Sequence, residues 1–396
     1  MNDKITIIAN EKCWIEQPAV EQLEAVSSLP GTVRAVGLPD MHVGRTPVGV
    51  VLETEGIVYP RLVGNDIGCG MGLFETRCRV KKFKQSRFYS RLNEIEALRC
   101  VEADNPFAEE SPIADLGSIG GGNHFAEFQA VSKIHDEDLF KSLDINEDNV
   151  MLLVHSGSRG YGERIFSQFS GFGGLAADDE RAGFYMDVHD NEVLWAARNR
   201  MMIAKKLTDY LGYTSEFNAI IDCSHNYIQR LGKKFLHRKG AVGAKNGPAI
   251  IPGSRGALTY IVAPSEDTSI SIDSLSHGAG RKWMRSLCKG RLRDKYDRYA
   301  IRETKLKGVT VCHDINLLYE EAPEAYKNID HIIDAMVANG LCRVIATVPP
   351  LFTFKARGYL TDGITDQFRA GSGGVRIGRR QAAVSSFGGI SGHNDR

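Results

Sequence analysis

The 396-residue chain has no apolar run near the roughly 20 residues that a membrane-spanning helix requires, so helical spans are not expected. It also has no excess of either charge, with 49 Lys and Arg against 49 Asp and Glu, which removes the simplest argument for a polyanionic partner. Its eight cysteines, at 13, 69, 78, 100, 223, 288, 312 and 342, lack the spacings of a disulfide framework or a zinc knuckle. Most are therefore expected as reduced thiols. No internal repeat and no linker interrupts the chain before Gly358. The opening Met1-Asn2-Asp3-Lys4-Ile5-Thr6 has no basic leader followed by an apolar core, and a cytoplasmic protein is the expectation.

What is present begins with Asn65-Asp66-Ile67-Gly68-Cys69-Gly70-Met71, a glycine-rich turn that sets a carboxylate and a thiol three residues apart. A hard and a soft ligand together suit a borderline divalent ion, and a sulfur can bridge two of them. Nitrogen ligands are offered downstream in Gly122-Asn123-His124-Phe125, in Val154-His155-Ser156-Gly157-Ser158-Arg159-Gly160 and in Ser224-His225-Asn226-Tyr227. A further histidine stands in Ser276-His277-Gly278-Ala279-Gly280-Arg281. Taken singly, an Asp-x-x-Cys is an ordinary turn and each histidine a hydrogen-bonded structural residue. Of 11 histidines, however, these four lie among glycine, serine or asparagine, where backbone can approach a ligand closely.

Charge is balanced overall but not locally. Between Arg281 and Lys307 the chain carries eleven Lys or Arg against three acids, Asp294, Asp297 and Glu303, with Trp283, Tyr296 and Tyr299 interleaved. Read as a largely helical basic stretch, this segment either holds phosphates beside the fourth histidine or forms a solvated helix face.

With 42% hydrophobic residues the chain can bury a large core, and its pattern indicates an α+β fold in one large domain of layered β-sheets flanked by helices. Residues 34–38 and 47–53 read as strands around a turn at Pro39 to His42, and 56–64 as a strand leading to Asp66. Val150 to His155 and Ala219 to Ser224 read as strands, each delivering a histidine at its end. Phe88 to Glu102 and Asn191 to Tyr210 read as helices, and Phe166 to Arg181 as a loop or lid. Residues 1–358 form the expected domain. Residues 359–396, with Ala370-Gly371-Ser372-Gly373-Gly374 and Arg379-Arg380, form a C-terminal extension.

The motifs together resemble the RtcB family of GTP-dependent RNA ligases. The match runs through Pro39-Asp40-Met41-His42, Asp66-Ile67-Gly68-Cys69-Gly70, Gly121 to Glu127, His155 to Gly160, His225-Asn226-Tyr227, Arg238 to Ala241, Ile251 to Ser254, His277 to Arg281 and Ala325-Tyr326-Lys327. The resemblance implies two manganese ions, one on Asp66, Cys69 and His124 and one on Cys69, His155 and His225. It makes His277 the nucleophile that takes GMP from GTP, and gives Asp66 a role in deprotonating an incoming hydroxyl. GMP contacts carry over onto Asn123, His124, Phe125, Ala126, Glu127, His225, Asn226, Pro252, Gly253, Ser254, Arg255, Thr259, His277, Gly278, Ala279, Gly280, Tyr326 and Lys355. Two departures from the family pattern stand out: a threonine replaces the usual serine at Thr259, and the terminal lysine motif, here Lys355-Ala356-Arg357-Gly358, is embedded instead of ending the chain.

The implied reaction joins an RNA 2',3'-cyclic phosphate or 3'-phosphate to a 5'-hydroxyl, as in RNA repair or tRNA processing, by a protein expected to act as a monomer. Two other readings remain open on the sequence. A dinuclear metal phosphoesterase acting on RNA ends would need the five ligand positions but not His277, and an RNA-binding protein without chemistry would need neither.

Overall fold

The computed structural model describes residues 3–94, 116–213 and 218–356, all within one compact unit, Met1–Gly358. The expected extension at 359–396 lies outside the described residues. The architecture is α+β. A six-stranded sheet runs in the order Asn218–Ser224, Gly70–Arg79, Asn149–Ser156, Phe125–Gln129, Pro350–Lys355, Val309–Cys312. All its pairings are antiparallel except the last.

Both faces of this sheet are buried. Along Asn149–Ser156, Met151 and Leu153 join one apolar cluster while Val150, Leu152 and Val154 join another, the two-residue period of a strand sandwiched between layers. The second cluster is closed by the helix Glu180–Leu211, whose Ile203, Ala204, Leu207 and Leu211 recur at helical spacing. Asp179 caps its start by accepting from the Arg181 amide, and Gly212, at φ 77°, ends it in the left-handed conformation. On the other face lies a four-stranded sheet, Ala249–Pro252, Thr259–Pro264, Cys342–Val348 and Lys133–Ile134. A five-stranded sheet orders Ile5–Ile7, Thr32–His42, Val48–Glu55, Lys234–Lys239 and Asn226–Leu231.

Several local expectations are corrected. Pro39 to His42 is not a turn between strands, because Thr32–His42 is continuous and absorbs Pro39 in a register shift between Gly37 and His42. Residues 56–64 form a two-residue strand, Ile57–Val58, and a short helix, Pro60–Val63, started by a proline that has no N–H to leave unpaired. The expected lid at 166–181 is instead the end of a helix, Gly160–Phe169, then a strand, Leu175–Ala176, that pairs with Ile57–Val58. The long helix starts at Glu180 and not at Asn191. In the basic stretch only Arg285–Leu292 is α-helical, followed by a 3-10 turn at Ala300–Arg302. After Leu292 the sequence Arg293 to Arg298 offers only Tyr296 to the apolar cluster, too little to form the stripe that would continue the helix. The helix expected from Phe88 is described as Gln85–Glu94, and its remainder lies outside the described residues.

Candidate active site

Register brings the sequence motifs together. In the six-stranded sheet Gly70 pairs with both Ser156 and Ser224, and Phe125 pairs with His155. Cys69 and His124, each just before a strand, therefore meet His155 and His225, each at or just past a strand's end. The His225 amide donates to the Cys69 carbonyl at 2.7 Å. Two-residue alternation then puts Cys69, Met71, Phe125, Glu127, His155, Thr353 and Lys355 on one face, where they line a cavity of about 330 Å³.

Cys69 Sγ lies 3.2 Å from His155 Nε2 and 3.4 Å from His124 Nε2. These three buried residues offer ligand atoms within 4.8 Å of one another. His124 Nε2 is 2.9 Å from Asp66 Oδ2. The His225 ring centroid is 5.2 Å from that of His155, and its buried Nδ1 has no partner among the described residues. Burial holds both His155 and His225 well below the usual histidine range, so each is a neutral nitrogen donor. Burial, reinforced by the Asp66 charge, pushes the Cys69 thiol well up. For Asp66, burial opposes ionisation but His124 and Arg159 prevail and hold the carboxyl below its usual range. A carboxylate, a thiol and three imidazoles converging at one wall of the cavity fit divalent-cation binding. Ligation through His124 Nε2 requires its proton on Nδ1, and Arg159 Nη1, now 3.2 Å from Nδ1, would have to turn aside.

Two glycines make the crowding possible. At Gly120, with φ 90°, a Cβ would sit 2.0 Å from the Arg159 guanidinium carbon, and at Gly157 it would sit 2.0 Å from Asp66 Oδ1.

His277 faces the same cavity, its ring centroid 4.9 Å from that of His225. Its Nδ1 lies 2.6 Å from Oδ2 of the fully buried Asp40, which also accepts from the His277 amide at 3.1 Å. Burial opposes the Asp40 charge, yet His277 holds the carboxyl below its usual range. With the proton of a neutral ring on Nδ1, the lone pair is on Nε2. Beside it, His42 stacks at 6.4 Å and donates from Nδ1 to the Asp40 carbonyl, and burial pushes it down to about 4.

At the far side, buried Glu321 pairs with Arg281 at 3.0 Å and Arg285 at 3.2 Å and accepts from Tyr326 Oη at 2.5 Å. Burial would raise this carboxyl, but Arg285, Lys355 and Arg281 hold it down to about 2. Glu127 is the opposite case: burial pushes it up to about 7 although Thr353 and Gln129 donate to it.

Of the residues singled out in the sequence, Asp66, Cys69, Asn123, Phe125, Glu127, His155, His225, Asn226, Pro252 to Arg255, His277 to Gly280, Tyr326 and Lys355 all line the cavity. His124 stands behind the wall, its carbonyl accepting from Lys355 Nζ at 2.9 Å. Ala126 packs on the opposite face of the sheet. Thr259 is one hydrogen bond removed, accepting from Gln129, which donates to Glu127. Sequence reasoning assigned no role to Asp40, His42, Lys239, Arg285 or Glu321, which also line or support the cavity. Four of them carried a signal, Asp40 and His42 as members of the Pro39 to His42 motif, Lys239 as a member of the Arg238 to Ala241 motif and Arg285 as part of the basic stretch, whereas Glu321 carried none.

A cluster that could hold a divalent cation, beside a carboxylate-held imidazole and a rim of arginines, has the chemistry to act on phosphate groups. A family model described as tRNA-splicing ligase RtcB matches residues 22–104 and 99–356. The chain belongs to the RtcB family. It is 38% identical over 371 residues to the RNA-splicing ligase RtcB2 of Escherichia coli, covering 90% of this chain and 97% of that relative. It is also 28% identical over 443 residues to the tRNA-splicing ligase RtcB of Archaeoglobus fulgidus, covering 86% and 92%. No described helix is long and apolar enough to cross a membrane.

Proposed function

We propose that the protein is an RNA ligase that joins a 2',3'-cyclic phosphate or 3'-phosphate end to a 5'-hydroxyl end, in RNA repair or tRNA splicing, with GTP as co-substrate. The observation that carries this reading is the Asp40-held His277 ring, turned into the same cavity as Cys69, His155 and His225. Family membership supports it.

In the scheme, His277 Nε2 attacks the α-phosphorus of GTP. An N–P bond forms, the P–O bond to pyrophosphate breaks, and the Nδ1 proton stays against Asp40. An oxygen of the RNA 3'-phosphate then displaces the imidazole and takes the GMP. The 5'-hydroxyl of the second RNA attacks that activated phosphate, GMP departs, and the Asp66 carboxylate takes the hydroxyl proton. A cyclic phosphate is first opened by water. Tyr326 stacks on the guanine while Glu127 and Lys355 contact its edge, and backbone N–H groups of Ser254, Gly278 and Gly280 approach the phosphates.

Two manganese ions would be held by Asp66, Cys69 and His124 and by Cys69, His155 and His225. Bound there, they would supply charge neutralisation on the oxygens of the transferring phosphoryl group.

Incubation with GTP labelled at the α-phosphate and manganese, followed by denaturing electrophoresis, tests the reading. Label should stay with the protein and disappear in His277→Ala. Joining of 3'-phosphate to 5'-hydroxyl strands, and not of 3'-hydroxyl to 5'-phosphate strands, should accompany it. Labelling that survives His277→Ala, or the opposite end preference, would overturn it.

A further inference from the structure

The helix Arg285–Leu292 buries Cys288 and Leu292, and Leu292 packs with Leu317 and Leu318 of the helix Ile315–Glu320. Its other face, with Lys289 and Arg291, and the following Arg293 are exposed. The helix holds no acid. Arg285 with Lys289, and Lys289 with Arg293, are like charges at i,i+4, an arrangement that costs a few tenths of a kcal/mol per pair, about what an opposite pair would gain. A face whose task is only to stay in water has no reason to keep them, since interspersed signs solubilise equally well.

The cations are also kept available. Arg291 lies over the Trp283 ring at 4.9 Å, with Lys282 5.2 Å from the same centroid, and Arg298 lies over Tyr299 at 4.7 Å. Lys289 is held by the neutral Asn316 side chain at 2.8 Å. Among the described residues neither Lys289 nor Arg291 has a carboxylate in salt-bridge contact, in contrast to Lys295, which pairs with Glu324 at 2.6 Å, while the exposed Arg293 lies 3.6 Å from the exposed Asp294 and Arg298 feels the charge of its neighbour Asp297. Large apolar surface is interleaved with them, Met284 at 68% and Tyr299 at 66% exposure. The face is continuous with the cavity, because Arg281 and Arg285 at its near end line the wall.

We propose that this face, from Lys282 to Tyr299, docks single-stranded RNA and leads its end into the cavity; the inference rests on the reading of the protein as an RNA ligase. Flat-lying guanidinium and aromatic planes accept bases by stacking, and unpartnered cations track a phosphate backbone, the combination that single strands require. The helix alone extends the path by about 12 Å from the cavity mouth.

The test is binding of a fluorescein-labelled single-stranded RNA bearing a 3'-phosphate to the full chain, followed by anisotropy across a salt series. Lys289→Gln, Arg291→Gln and Arg293→Gln are combined in one variant. Its Kd should rise about tenfold or more at low salt, and the slope of log K against log salt should become shallower by about 2, near 0.7 for each lost phosphate contact. GMP adduct formation on His277 should be unchanged. A control replaces the exposed Lys81, Lys82 and Lys84 by Gln and should bind like the parent. RNA affinity and salt slope equal to the parent's in the first variant, or an equal loss in the control, would overturn the proposal. A parent protein that binds RNA in this way yet forms no adduct would sink the ligase reading and leave the docking face standing.

Discussion

Asp40 and His277, 237 residues apart in sequence, are joined by a 2.6 Å contact between the Asp40 carboxylate and Nδ1 of the ring. Asp40 sits in the long strand Thr32–His42 and is fully buried, so the carboxylate is fixed before any substrate arrives. It accepts two bonds from one residue, the His277 amide and the ring, and therefore sets both the position and the tautomer of the imidazole.

Asp40→Asn should slow GMP adduct formation by roughly 10²-fold or more, the order seen when a buried carboxylate behind an imidazole is neutralised. The amide can keep the ring in place, but it offers no charge to the cationic ring that forms when Nε2 becomes bonded to phosphorus. Single-turnover labelling at saturating GTP measures this. Metal content should be unchanged, and a rate within a few-fold of the parent would make Asp40 a purely structural partner.

The histidine-bearing strands were legible because Val150 to His155 and Ala219 to Ser224 are short apolar runs, and glycine-rich flanks marked where backbone had to come close. Family resemblance supplied the roles. The Asp40 pairing was not legible, since no local pattern reports a contact over such a separation, and neither was Glu321, an acid in an ordinary helical sequence whose arginine and lysine partners come from elsewhere in the chain. The basic stretch misled because its cations suggested a helix throughout, whereas burial of Cys288 and Leu292 sustains only the first two turns. Thr259 is tied to Glu127 through Gln129, a two-bond link that no local sequence pattern reports.

Glu127 should impose a pH dependence on stability. Its folded pKa of about 7 lies above the ordinary 4.5, so folding favours the protonated form. The associated stabilisation is whole below pH 4.5 and is lost as pH rises through 7, by up to about 3 kcal/mol. Glu127→Gln keeps a neutral group of the same shape that can still meet Gln129 and Thr353. Thermal midpoints of parent and variant without nucleotide should lie close together at pH 5.5, and the variant should be the more stable by a few degrees at pH 8.5. Glu192, which burial pushes up to about 8, acts in the same direction in both proteins and cancels. Parallel pH curves for the two would remove the neutral carboxyl from the account.

Cys69→Ser should lower bound manganese and abolish metal-dependent guanylylation. A hydroxyl stays protonated where a thiol can ionise on a metal, and it bridges two ions far less well. Elemental analysis after gel filtration separates this from a folding defect, because Cys69 is 2% exposed and serine nearly matches its volume. A folded variant with the parent's metal content and rate would make Cys69 a core residue.

Truncation after Gly358 should leave the GMP adduct intact, whereas truncation before Phe354 should destroy it. The strand Pro350–Lys355 lies between Phe125–Gln129 and Val309–Cys312, so removing its end unpairs the sheet on both sides. Phe354 is 1% exposed in the cluster under the long helix, and deleting such a side chain costs about 3–5 kcal/mol. Lys355 donates to the His124 carbonyl at 2.9 Å and stands near Glu321 at 3.9 Å, so its loss also leaves a buried carboxylate short of a cation. Nothing assigned to metal or GMP lies beyond Lys355. The residues past Gly358 carry Arg376, Arg379 and Arg380, and a deficit confined to ligation of large RNAs is compatible with their removal. A protein ending at Gly358 that folds, shown by a cooperative melt, yet takes no label from GTP would place the tail in the active site and make the assignment of Lys355 wrong.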